Sequence, residues 1–278
     1  MADKKILFVS QEIAPYLQTG EPSDLGRLLP QSMPSKKFEV RTFMPKFGNI
    51  NERRNQLHEV IRLSGLNIEI NDNDHPLIIK VASMQPSRIQ VYFIDNDDYF
   101  QKLDSDENDY GFNRDDNDER TIFFARGTIE TVKKLKWAPD IIQCTGLITA
   151  LTPVYVRNMY AQEPEFANSR IIYTVMPGEI TGKIDDGFIE KLKTDGVHND
   201  TLDILKNNRL DTNIFHKLAI NAADAVIFHT ETPDPELLEF TKQRNIPVAT
   251  LQQLGNDPKL YIDFYDRLSS ADKTDNKK

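Results

Sequence analysis

The sequence predicts an α/β domain built on a doubly wound, mostly parallel sheet with an inserted β-hairpin region. Three observations predict it. The chain opens as strand, helix, strand, with Lys5–Val9, a helix from Ser23 and Phe38–Met44; such an opening is the unit of a parallel sheet. Three short apolar segments follow, separated only by turn residues, and read as antiparallel hairpins. Strands and helices then alternate almost to the end of the chain.

Taken in order, Ile6-Leu7-Phe8-Val9 is an apolar run that reads as a buried strand. Leu25, Leu28 and Leu29 carry the helix after Ser23-Asp24, and Pro30 and Pro34 leave its end open. Phe38–Met44 alternates and stops at Pro45, while polar 51–62 is a loop or short helix. Leu66–Ile70, Leu77–Ala82 and Ile89–Ile94 are the inserted strands. The clearest helix is Asn117–Lys136, with Ile122, Ala125, Ile129, Val132 and Leu135 at helical spacing. Asp116-Asn117-Asp118-Glu119 resembles a capping box at its positive end.

Asp140–Cys144 is the next strand, followed by a helix near Leu147–Met159 and a strand at Arg170–Val175. Helices are expected at Thr201–Lys206, Asn213–Ala223, Pro235–Lys242 and Pro258–Leu268, and strands at Ala225–Phe228 and Val248–Leu251. Residues 1–268 form the domain; Ser269–Lys278 is polar, without apolar period, and reads as a disordered tail.

Composition narrows the function. The 278 residues, 39% hydrophobic, suffice for a sizeable core. The single cysteine, Cys144, excludes an intrachain disulfide, fits a cytoplasmic, reducing setting and reads as an inert core thiol. The first apolar run is too short for a signal peptide, and no stretch approaches the roughly 20 apolar residues of a membrane span. A net charge of −9 argues against nucleic acid as partner. Eleven acids against two bases between Asp95 and Glu119 carry that whole excess. Their spacing lacks the calcium-loop pattern, so the segment reads as a solvated loop. The five histidines are scattered without metal-ligand spacing, and no Gly-x-Gly-x-x-Gly or Gly-x-Ser-x-Gly occurs. No metal and no cofactor is expected.

In an open parallel sheet, ligands sit beyond the carboxyl ends of the strands. The loops to inspect therefore follow Val9, Cys144, Val175 and Phe228. Ile6–Pro15, Gln18-Thr19-Gly20-Glu21, Pro45-Lys46-Phe47-Gly48, Tyr92–Asn96, Tyr99-Phe100, Asp116–Arg120 and Trp137–Ile142 lie in one order along the chain. Together they resemble the N-terminal domain of bacterial glycogen and starch synthases, which extend α-1,4-glucan from ADP-glucose. The likeness runs from Lys4 to about Phe240. It implies one Rossmann-like half of a GT-B-type enzyme whose active site lies in a cleft between two such domains. The chain has length for the first half.

The resemblance implies ligand-facing roles for Glu12, Thr19 and Gly20, with Tyr16 and Tyr99 as ring platforms, although core packing is the commoner fate of tyrosine. It implies an active-site role for Asp116, with Asn117 beside it, against their reading as a helix cap. It also exposes departures. Gln18 and Glu21 stand where the family has the lysine and last glycine of Lys-Thr-Gly-Gly. Lysine offers charge and donors to a diphosphate, and glycine lets backbone approach it. Glutamate instead puts an anion beside the place for an anion. Thr145-Gly146-Leu147-Ile148 stands for His-Asp-Trp-His, and Val175-Met176-Pro177 lacks the next histidine. The expectation is therefore a non-catalytic module associated with α-glucan. The alternatives are half of a split synthase completed by a second glycosyltransferase-type chain, or a scaffold binding another protein through the acidic segment.

Overall fold

Seven strands run parallel through the middle of the protein in a computed structural model, which describes residues 4–17, 20–101 and 110–275. Gln18, Thr19 and the acidic stretch 102–109 lie outside the described residues. The strands are β1 (Lys4–Ser10), β2 (Phe38–Pro45), β3 (His58–Glu59), β4 (Leu66–Ile70), β5 (Asn73–Met84), β6 (Ile89–Asp95), β7 (Ile141–Thr145), β8 (Arg170–Val175), β9 (Ala225–Phe228) and β10 (Val248–Thr250). Their order is β10-β9-β8-β7-β1-β2-β6-β5-β3, with β4 paired to β5. From β10 to β6 every pairing is parallel. The chain builds outward from β1 through β2 and β6, then returns to add β7, β8, β9 and β10 on the other side. The topological switch point therefore falls between β1 and β7, where ligand sites of such folds lie.

The helices are α1 (Glu21–Ser32), α2 (Asn117–Lys134), α3 (Leu151–Arg157), α4 (Phe188–Thr194), α5 (Asn199–Lys206), α6 (Thr212–Ala222), α7 (Pro235–Arg244), α8 (Leu251–Leu254) and α9 (Pro258–Asp275). They cover both faces of the sheet because β1 is buried on both. Ile6 and Phe8 pack with Leu25 and Leu29 of α1 and Tyr261, Phe264 and Tyr265 of α9. Leu7 and Val9 point the other way, into a larger core that contains Ile122, Ile129 and Val132 of α2 and Leu218 of α6. Full burial of each such side chain contributes roughly 1.5–3 kcal/mol.

Several expectations change. Of the three inserted strands, β6 belongs to the parallel array, with Thr42 opposite Val91; antiparallel pairing is confined to the contacts of β3, β4 and β6 with β5. Polar 51–62 forms turns that end in β3. The helix near Leu147–Met159 divides into a 3-10 turn, Leu147–Thr149, and α3. The last helix continues past Leu268 to Asp275, where a disordered tail is expected; residues 269–275 hold no glycine or proline to stop it. The acidic segment is partly structural. Asp95 is buried against Lys80 at 2.8 Å, and Asp118 against Lys191 at 2.8 Å. Cys144 is buried in the core, and burial pushes its thiol pKa far up, as an inert thiol requires.

Candidate functional site

The loop that leaves β1 is fastened at the switch point before it reaches solvent. The Gln11 N–H donates to Thr145 O at 2.9 Å, extending the β1–β7 ladder by one bond. Glu12 follows, only 4% exposed. Its carboxylate accepts from the Tyr110 hydroxyl at 2.7 Å and from Gln11 Nε2 at 3.4 Å. Burial pushes the Glu12 pKa up, and these two hydrogen bonds only partly oppose it. Helix α1 lies hard against this turn. A Cβ on Gly26 would come within 2.3 Å of Glu12 O, so glycine is required for the approach.

Gly20 and Glu21 turn the loop into α1. Gly20 has φ 114° and ψ −143°, a region only glycine visits freely. The Ser23 hydroxyl donates to Gly20 O at 2.8 Å. Glu21 begins α1, where an anion is favoured by the helix dipole. Its Oε1 lies 3.3 Å from Nε2 of His229, at charge-pair distance but outside hydrogen-bond alignment. His229 follows β9 directly, is fully buried, and shares a hydrogen bond with the Tyr261 hydroxyl at 3.0 Å through Nδ1. Burial holds the His229 pKa below the ordinary imidazole value, although Glu21 pulls it up.

The expected family-variant stretch lines the same switch point. Thr145 ends β7. Gly146 takes φ 91° and ψ 167°, again a conformation for glycine. A Cβ there would meet Gln11 Cβ at 2.8 Å and Gln11 Oε1 at 2.9 Å. The Gln11 side chain thus fills the space that an aspartate at 146 would need. Its Oε1 accepts a long bond from the Ile148 N–H at 3.5 Å. Leu147 and Ile148 are buried core residues and present no polar group.

The remaining sequence candidates divide. Asp116 precedes α2 but makes no side-chain cap bond, contrary to the capping-box expectation. Arg114 takes its carboxylate instead, through Nε at 2.8 Å and a second short contact from Nη2. Asn117 is buried, and its amide donates to the carbonyls of Gly111, Phe112 and Arg114. Its Oδ1 accepts from Arg120 Nη1 at 2.6 Å. Asn117 therefore shapes the 110–114 turn, which delivers Tyr110 to Glu12. Tyr16 is buried edge-on to Phe93, with ring centroids 4.9 Å apart. Tyr99 is buried and donates to Glu119 at 2.9 Å. Both tyrosines are buried and packed against core rings. Thr19 and Gln18 lie outside the described residues.

The structure thus gathers Glu12, Gly20, Glu21 and Gly146 around the switch point. Gln11, Tyr110, His229 and Tyr261 complete the group and were missed as site residues from sequence. His229 carried a signal, since it occupies the first position after a strand whose following loop was singled out. Tyr110 and Tyr261 carried none. Among the described residues, no group of three or more His, Cys, Asp or Glu is placed to hold a metal ion. No described helix is long and apolar enough to cross a membrane.

A parallel sheet with its loops gathered over one switch point defines a Rossmann-like half of the GT-B glycosyltransferase type. The chain belongs to the starch synthase catalytic domain family, whose model matches residues 5–243. It is similar to a glycogen synthase of Chlorobium limicola, 36% identical over 173 residues, covering 62% of this chain and 35% of that protein. A glycogen synthase of Chlorobium phaeovibrioides is 32% identical over 195 residues, covering 69% and 40%. The chain thus spans about a third to two fifths of the length of these relatives. Among solved structures, the catalytic domain of starch synthase IV from Arabidopsis thaliana, bound to ADP and acarbose, superposes with a TM-score of 0.66 at 15% identity. That match covers 90% of this chain and 52% of the other and speaks for the fold.

Proposed function

We propose that this chain is a non-catalytic member of its family that acts as an α-glucan-associated binding or regulatory module. One observation carries the reading: the start of α1 is occupied by the protein's own anion, Glu21, set against the buried His229. A diphosphate approaching there would meet a carboxylate, and a like-charge contact near 4 Å costs roughly 1–4 kcal/mol. Gln11 in the space above Gly146 supports the same reading, because no acid or histidine can be presented from that turn without moving it. The surviving Glu12 is buried, bonded to Tyr110 and raised in pKa by its burial, which suits holding the loop rather than proton transfer in the open. The buried thiol of Cys144 supports a cytoplasmic setting.

The test pairs two measurements on the purified protein. Co-sedimentation with glycogen is expected. Transfer of labelled glucose from ADP-glucose to a maltooligosaccharide is not, and measurable transfer by the protein alone sinks the reading.

A further inference from the structure

A cavity of about 450 Å³ lies beside the first loop, walled by Pro15 and Tyr16, by Arg27 of α1, by residues 54–56 and His58 of β3, and by Ser83 of β5 with Gln85 just beyond it. Its size is that of small-molecule pockets. Its charge sets it apart from the rest of the molecule. The chain carries a net charge of −9, yet Arg27 and Arg54 line this cavity and no carboxylate does. Two other polar cavities are net acidic. One sets Arg126 and Lys191 beside five carboxylates, and the other sets Lys183 and Arg209 beside three.

In the arginine cavity neither cation has an ion-pair partner among the described residues. Arg27 donates to neutral oxygens, Gln31 Oε1 at 3.3 Å and Gln85 O at 3.1 Å. These bonds fix its guanidinium at the wall. The Arg54 backbone is held by Asn51, whose Oδ1 accepts from the Arg54 N–H at 2.8 Å. Its guanidinium has no ion-pair partner among the described residues. Asn55, Gln56 and Ser83 supply neutral hydrogen-bonding groups alongside. Two guanidinium groups facing one concavity suit a phosphate, whose oxygens match the planar fork of donors. The neutral amides and hydroxyl suit the hydroxyls of a sugar.

We propose that this cavity binds a small phosphate-bearing anion, either free phosphate or a phosphorylated sugar, with Arg54 and Arg27 on the phosphate. The site lies apart from the Glu21–His229 contact and stands whether or not the glucan reading does.

Calorimetry at low salt tests it with three probes: inorganic phosphate, glucose 1-phosphate and glucose. Glucose 1-phosphate or phosphate is expected to bind, and glucose is not. Arg54→Glu should weaken binding at least about tenfold, since it removes one charge-assisted contact and adds repulsion. Arg62→Glu, also exposed but outside the cavity, should leave it unchanged. Both positions are on the surface, so circular dichroism should show both variants folded. Glucose 1-phosphate binding at least about tenfold tighter than phosphate identifies a sugar-phosphate site; equal binding identifies a phosphate site. The proposal is overturned if neither anion binds at millimolar concentration, if glucose binds as well as its phosphate, or if the two variants lose affinity alike.

Discussion

Glu21 Oε1 stands 3.3 Å from His229 Nε2, while His229 Nδ1 is held 3.0 Å from the Tyr261 hydroxyl. Three residues far apart in sequence thereby join the start of α1, the end of β9 and the helix α9. The carboxylate is half-exposed and the imidazole is fully buried, so Glu21 links the histidine to the solvent side.

Glu21→Gln should lower the His229 pKa further. Burial already depresses it, and the Glu21 charge is the opposing influence. Removing that charge leaves burial unopposed. Titration of the His229 ring protons by NMR checks this; an unchanged or raised midpoint in the variant would show that the two groups do not interact. The variant should not gain glucosyl transfer, because Gly146, Leu147 and Ile148 still present no polar side chain.

Gly146→Asp should destabilise the fold by about 2–5 kcal/mol, combining a backbone conformation reserved for glycine with overpacking against Gln11. Urea unfolding measures it. Pairing the change with Gln11→Gly should recover the packing part and leave the backbone part. A neutral effect of the single substitution would mean that Gln11 moves aside freely.

The stability of the protein should fall as pH drops from about 6.5 toward 4. His216 is buried with Nδ1 2.8 Å from the Tyr173 hydroxyl, and burial lowers its pKa from 6.5 to about 4. The unfolded chain takes up a proton in this window that the folded chain refuses. The stability is therefore full above the unfolded pKa and lost as pH falls through the folded one, by roughly 3 kcal/mol. Urea midpoints measured between pH 7.5 and 4.5 should show this slope, and His216→Gln should flatten it. An equal slope in both proteins would assign the acid sensitivity to other groups.

The strands were legible because their signal is local. Ile6–Val9, Arg170–Val175 and Ala225–Phe228 announce themselves by unbroken apolar runs, and α2 by the spacing of Ile122, Ile129 and Val132. The short α4 was missed: its seven residues expose most of their polar side chains and bury Phe188 and Leu192, two apolar positions too few to mark a period. Asp116 does stand at the N-cap position of α2, but the capping-box bond fails because sequence spacing cannot show that Arg114, two residues earlier, captures its carboxylate.

By itself the sequence determined the parallel fold and the loop after β1 as a place for ligands, which follow from residue identity and from periods of two and 3.6. Its resemblance to the family added the expectation that Gln18, Glu21 and Gly146 replace residue types suited to binding charge. Only the tertiary structure decided what Glu21 and Gly146 meet. Gln11 fills the space over Gly146 from 135 positions away, and Glu21 meets His229 across more than two hundred residues. Both contacts form because parallel strands bring distant segments to one edge of the sheet, and pairings made at that edge leave no period in the chain.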